Sequence, residues 1–398
     1  MSEEQIITAP GAAASRQAGA AQAWVLILAM FLPILAIIAL APALPTLLDH
    51  FKDLPNAKAL VPLLLVVPAL CIALFGGVAG WLTDRYGRRN LMLGAMLLYG
   101  FAGLTPFVAQ SFSAVLTGRV LLGIAEAFIL TIGNALMADY FQKEAQHKWL
   151  MVQGIVGPFL GTLMLVSSGQ LAAMGWQWPF ILYALTFPIL LFGFLFLWEP
   201  QRRSQTETVV ASTPFPWAIV AAICAVTLVT ATIYFVHVIQ FSLVLSEIGV
   251  ADQAMIGRIS GIASLGVPVG ALIFKRIANR KIQFQMAAIY LLMGIGLLGI
   301  GLSENYRLTT MMAIFQQLAA GMSIPIMVAW ALSLLPEEHR GRGMGFWAAS
   351  FFIGQFISPL TVSIIRNLTG GLLPAVAVFG ALSLVAMVVC FVSMERKK

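Results

Sequence analysis

Residues 80–89 read GWLTDRYGRR. They hold two glycines, one acid and three arginines, and they interrupt two apolar runs at roughly 57–82 and 90–110. Each run has the length that carries a helix across a bilayer, about 20 residues. Gly77 and Gly80 let the helix before the loop approach a neighbour closely. Gly87 permits a tight turn. Arg85, Arg88 and Arg89 place positive charge at one face of the membrane. The stretch therefore reads as a short basic connection between two membrane spans.

The rest of the chain extends that reading. Of its 398 residues 60% are hydrophobic and only 10% charged, against about 25% charged in soluble domains. The net charge of +7 is spread in short clusters between apolar runs. Nucleic-acid binding would need a basic face, so no nucleic-acid partner is expected. Cys71, Cys224 and Cys390 are far apart in apolar sequence, with no metal-ligand or redox spacing. No metal or cofactor is implied. Residues 1–21 are small and polar, and the first apolar run, 23–48, exceeds the apolar core of a secretory signal. It reads as a first span.

Twelve such runs follow one another: 23–48, 57–82, 90–110, 113–138, 146–172, 177–198, 216–245, 254–275, 283–302, 308–335, 343–365 and 372–394. With the N-terminus inside, 17 Lys and Arg fall in cytoplasmic segments and 5 in outer ones, leaving Arg119 within a span. Both termini are thus expected in the cytoplasm, and the protein in a bacterial-type inner membrane. The longest polar connection, 199–215, divides a bundle at 23–198 from one at 216–394, with tails at 1–22 and 395–398.

The two halves echo each other. GALIFKRIANRK (270–281) answers GWLTDRYGRR, WALSLLPE (330–337) answers NALMADYF (134–141), and SPLTV (358–362) answers GPFLG (157–161). Two parallel six-helix repeats are a transporter architecture, with substrate bound near the midplane between them. The fold class is therefore an all-α membrane protein of twelve helices.

On these motifs the chain resembles the major facilitator superfamily over about residues 22–395. The loop matches that group's G-x-x-x-D-R-x-G-R-R at Gly80, Asp84, Arg85, Gly87, Arg88 and Arg89. Arg119 and Gly123 in span 4, Gly157, Pro158 and Gly161 in span 5, GWQWPF (175–180) and residues 339–359 support it. The resemblance implies that Asp84 faces the start of span 11 and that Arg88 pairs with Asp139. Together they would form a conformational latch on the inner side. The alternative is a basic loop obeying the inside rule, with no switching role. Gly157, Pro158 and Gly161 would kink span 5 and let it pack closely. That stretch is similar to the drug/proton antiporter pattern, with Gln153 and Thr162 in place of two of its glycines.

Fifteen of the sixteen acids lie in connections, at span ends or in tails; Glu126 alone lies near the middle of a span. Arg119, seven residues before it, is the only embedded cation. A charged side chain at the helix centre costs about 2.5–3.5 kcal/mol on insertion scales, so function is the expected reason for both. Glu126 is the candidate proton carrier, and Arg119 its partner or a contact for an anionic substrate. A static buried pair is the alternative. About 10.5 Å of helix rise separates them, so water or substrate fits between them as well as a direct pair does. The pattern R-x-L-L-G-x-x-E-A also resembles span 4 of organic-anion/proton symporters and spinster-type transporters. Those groups tend to carry an acid in span 1, where this chain has none before Asp49.

Tyr234, His237 and Phe241 make a helical stripe in span 7, with Gln240 alongside. His237 is either a cavity group or a packed histidine. Gln316, Gln317 and Trp330 in span 10 and Gln355 in span 11 are further substrate-binding candidates. The expected protein is a proton-coupled transporter of a small amphipathic neutral or anionic compound. It would act as a monomer by alternating access, with export by antiport favoured over import of an organic anion. A polytopic enzyme or sensor is the reading from another class. It lacks a second catalytic group beside Glu126, an H-E-x-x-H motif and an output domain.

Overall fold

The computed structural model describes residues 17–200 and 214–395. Residues 1–16, 201–213 and 396–398 lie outside the described residues. They carry most of the expected tails and linker. Among the described residues there is no strand, and twelve helices are long and apolar enough to cross a membrane. Spans 1 to 6 are Ala20–Ile38, Leu63–Tyr86, Arg89–Phe107, Phe112–Tyr140, Lys143–Met174 and Trp178–Phe196. Spans 7 to 12 are Trp217–Glu247, Gln253–Ile277, Ile282–Leu302, Tyr306–Leu334, Glu337–Thr369 and Leu372–Val392. The connections after spans 2, 4, 6, 8 and 10 share one end of the bundle, called here the basic face.

The first apolar run is not one helix. Span 1 ends at Ile38, the chain turns, and a short helix resumes at Leu44–His50. Pro42 and Pro45 cause the break, because neither has an N–H to donate. Around them Leu40 N–H bonds to Ile37 O, and Ala43 N–H to Leu40 O. The carbonyls of Ala36 and Ala39 therefore lose their helical donors and need others.

Span 8 also breaks, at Leu265, between helices Gln253–Ser264 and Gly266–Ile277. Pro268 leaves the carbonyl of Ser264 without its donor four residues on. The segment before the break packs on span 5. There a Cβ on Gly169 would meet the Cα of Gly257, so the backbones touch, and Thr162 Oγ1 lies 2.7 Å from Ser264 Oγ. The segment after it leans on span 10, where Gly270 meets the backbone of Leu318. Span 8 thus joins the first six spans mainly on the side away from the basic face, and its second segment touches span 5 only sparsely.

Spans 2 and 11 also pack across the two sets of six, and span 7 touches the short helix Leu44–His50. On the basic side the crossing faces part. Cβ positions on Gly76 and Gly77 of span 2, Gly154 and Gly157 of span 5, and Gly341 and Gly345 of span 11 have no neighbour within 4 Å. Gly157 and Pro158 lie in an uninterrupted helix, and Gly161 faces Ile38 of span 1.

Candidate functional site

Span 4 carries Arg119 and Glu126 into the middle of the first six spans, and each is only 1% exposed. Gly123 between them lets span 4 lie directly on Pro68 and Cys71 of span 2. Arg119 is placed where proline has stripped a backbone carbonyl of its donor. Pro68 cannot donate to Leu64 O, and Arg119 Nε donates to it instead at 2.6 Å. The break in span 1 frees Ala36 O, which accepts Arg119 Nη2 at 2.9 Å. Arg119 Nη1 donates to Tyr183 Oη at 2.9 Å, and Tyr183 in turn donates to Ala36 O at 2.9 Å. The guanidinium also lies 5.6 Å from the centre of the Tyr183 ring. One cation thus ties spans 1, 2, 4 and 6 together.

Glu126 is not its ion-pair partner. Among the described residues no carboxylate oxygen lies within ion-pair distance of Arg119, and Glu126 Oε1 has no hydrogen-bond partner. Arg119, Tyr99 and Cys71 lie within electrostatic reach of the carboxyl. The Tyr99 hydroxyl points elsewhere and donates to Leu32 O at 2.7 Å. The remaining caps of the span 1 break are serines. Ser168 of span 5 donates to Ala39 O at 2.6 Å, and Ser242 of span 7 to Ala41 O at 2.5 Å.

The span 7 candidates sit in a neutral setting. His237 is buried with its ring 4.4 Å from Phe241, and its Nδ1 has no partner. Gln316 Nε2 donates to Tyr234 O at 3.3 Å while its Oε1 is unpartnered, so Tyr234 and Gln316 are brought together. Gln240 and Gln355 are buried, Gln317 lies against Gly266, and Trp330 is half-buried. Among the described residues no hydrogen bond or ring contact joins these last four to His237.

At the basic face Arg88 pairs with Asp139 at the end of span 4 and donates to Ala135 O at 3.3 Å. Gly87 makes the turn at φ 92°. Glu199, just past span 6, accepts the backbone N–H groups of Arg88 and Arg89 at 2.8 Å each. Arg89 reaches back to Leu197 O and Phe194 O at 2.7 and 2.8 Å. Asp84 and Arg85 lie exposed in the last turn of span 2. A cavity of about 640 Å³ lies between this loop and the end of span 6.

Sequence reasoning missed Tyr183, Ser168, Ser242 and Glu199. Apart from the Arg119 guanidinium on Tyr183, their partners are backbone groups, so no pairing of residue types announces them. The prolines at 42, 45 and 68 were the available signal, since each removes a donor four residues after a carbonyl.

The sequence model of the Major Facilitator Superfamily matches residues 26–313 and 223–398. A provisionally named multidrug resistance protein, MdtD, of Pectobacterium atrosepticum is 24% identical over 191 residues, 47% of this chain and 39% of that one. An uncharacterized transporter of this type, YfiU of Bacillus subtilis, is 29% identical over 132 residues, 31% of this chain and 24% of that one. The matched stretches thus span well under half the length of these curated relatives. Among solved structures, a bacterial homologue of the lysosomal transporter Spinster, inward-facing and unoccupied, superposes with a TM-score of 0.73 at 15% identity, covering 94% of this chain and 95% of that one. The human organic anion transporter MFSD10 gives 0.68 at 17% identity, covering 93% and 99%. At these identities the solved structures speak for the fold.

Proposed function

The chain belongs to the major facilitator superfamily of membrane transporters, and we propose that it exports a small amphipathic compound in exchange for protons. The basic face is the cytoplasmic one, in a bacterial-type inner membrane. A single chain works by alternating access. In the arrangement described, spans 5 and 8 meet away from the basic face and part toward it. That makes it the inward-open state. Closure brings the bare glycine faces of spans 2, 5 and 11 into contact, with the loop at Gly80–Arg89 as latch and Arg88–Asp139 as its brace.

What carries the proton assignment is Glu126, a carboxyl sealed within the membrane with one oxygen unpartnered. An unpaired charge is costly there and a neutral carboxylic acid is not, so proton uptake fits that setting. Arg119 acts through position: it fixes spans 1 and 2 around the carboxyl. Its donors already serve Leu64, Ala36 and Tyr183. That arrangement favours export over import of an organic anion held by Arg119. Tyr234, His237, Gln240, Gln316, Gln317, Trp330 and Gln355 remain the substrate-contact candidates in the second half. The multidrug naming of the MdtD relatives favours amphipathic cargo, and GWQWPF at the entry to span 6 favours export.

The test is transport into proteoliposomes with an imposed pH difference, using a permanently sulfonated dye and an uncharged one. Antiport accumulates dye in the more acidic compartment, and Glu126→Gln abolishes that accumulation while dye-for-dye exchange persists. Accumulation on the alkaline side makes the protein a symporter. Normal uphill transport by Glu126→Gln removes the carboxyl from the coupling step.

A further inference from the structure

The face of span 5 that seals against span 8 continues toward the basic side. Gly169 and Thr162 make the seal, and Ile155 and Lys148 follow at the same seven-residue interval. Seven residues are nearly two helical turns, so these four share a face. On span 8 the sealing residues Gly257, Gly261 and Ser264 are followed, beyond the break, by Leu272 and Lys275. Beyond the seal these residues are bare. Ile155 is 72% and Leu272 60% exposed, and nothing approaches the Cβ positions of Gly154 and Gly157. The cause is the break in span 8, which swings its second segment onto span 10.

A gap between two membrane helices faces lipid as well as the space between the halves. The charges at its mouth decide what it takes. Lys148 and Lys143 stand at the start of span 5, and Lys275 and Arg276 at the end of span 8, all exposed. Glu144, a turn beyond Lys148, is the one acid there, and residues 266–281 contain none. The gap between spans 2 and 11 differs: Asp84, Glu337 and Glu338 sit among its arginines. Phe159 and Val269 add apolar walls to the basic mouth.

We propose that the basic-side halves of spans 5 and 8 form a lateral portal through which an amphiphile with an acidic head group and a hydrocarbon tail enters from the adjoining leaflet. The tail lies on Ile155, Phe159, Val269 and Leu272. The head group stays at the interface with Lys148, Lys275 and Arg276. This names a cargo class for the transport reading above and rests on its assignment of the basic face.

The test uses the full chain in nanodiscs of uncharged phosphatidylcholine, with no pH gradient. A loss of binding is therefore separable from a loss of proton coupling. The probes are a dansyl-labelled undecanoic acid and its methyl ester, read by fluorescence titration against empty discs. Lys148→Glu with Lys275→Glu weakens binding of the acid at least tenfold and leaves the ester unchanged. Lys148→Gln with Lys275→Gln gives a smaller loss in the same direction, and Lys58→Glu on the opposite face gives none. Unchanged binding of the acid, or equal loss for acid and ester, overturns the proposal. Bimane attached at Ile155→Cys, with the three native cysteines replaced by serine, reports the surroundings. Doxyl-labelled lipid quenches it more strongly than iodide if the gap opens to the leaflet. Stronger quenching by iodide makes the gap a water-filled vestibule and overturns the portal.

Discussion

Both halves of the protein bury polar groups in the membrane, but they use them differently. In the first half, one guanidinium donates to two backbone carbonyls and a tyrosine, and a lone carboxyl lies nearby. In the second half, the links are neutral: Thr230 to Tyr290 at 2.6 Å, Ser383 to Tyr290 O at 2.8 Å, and Gln316 to Tyr234 O. The difference follows from where the chain is broken. Leu64 O and Ala36 O lost their donors deep in the first bundle, where a long side chain with several N–H groups reaches both. A cation held there makes a buried acid tolerable within the same bundle. The second bundle has no such cation, and it has no deep acid either.

The largest effect expected from this contrast is on transport. Glu126→Gln is nearly isosteric and leaves Arg119 its three acceptors, so folding survives while uphill accumulation vanishes. Gel filtration beside the flux measurement separates the two. Next comes Arg119→Met, which fills similar space but strips Leu64 O of its donor and removes the hydrogen bond that Tyr183 Oη accepts, leaving Tyr183 only its bond to Ala36 O. Leaving such buried groups unpaired costs about 3 kcal/mol, read as a clear fall in thermal midpoint in detergent, and Arg119→Lys falls less. Pro68→Ala tests the reason. It returns an N–H to Leu64 O, so in the Arg119→Met background it recovers about 1 kcal/mol. In the native background it gains little. Equal effects of Pro68→Ala in both backgrounds would mean that the arginine is not standing in for the missing amide.

The twelve spans were legible because a helix crossing a bilayer must be apolar for its whole length, and the basic loops mark one face. Arg88 with Asp139 was legible through the motif at 80–89, and the ion pair is present. The break after Ile38 was not. The residues from Ala39 to Leu44 are as apolar as the helix before them, and hydropathy does not register a missing N–H. The partners of Arg119 were hidden for the same reason. Every residue offers a carbonyl, and only the three-dimensional course of spans 1 and 2 shows which ones are vacant. Sequence spacing put Arg119 and Glu126 on one face of span 4, but it could not show that the arginine points into the bundle and serves backbone there.

The smallest effects should come from the second half, and they set the lower bound of the comparison. His237 packs on Phe241 with Nδ1 unpartnered, so His237→Phe removes an unsatisfied atom and keeps a ring in place. Gln316→Leu gives up a long hydrogen bond to Tyr234 O but also removes the unpartnered Oε1. Hydrogen bonds between membrane helices average about 0.6 kcal/mol, so gain and loss nearly cancel. Each variant should stay within about 1 kcal/mol of the native thermal stability by this measure. Each should still accumulate dye against a pH difference, with any change confined to apparent affinity. Loss of uphill transport in His237→Phe with exchange intact would place a proton step in the second half. The proposed division, with coupling in the charged bundle and binding in the neutral one, would then fail.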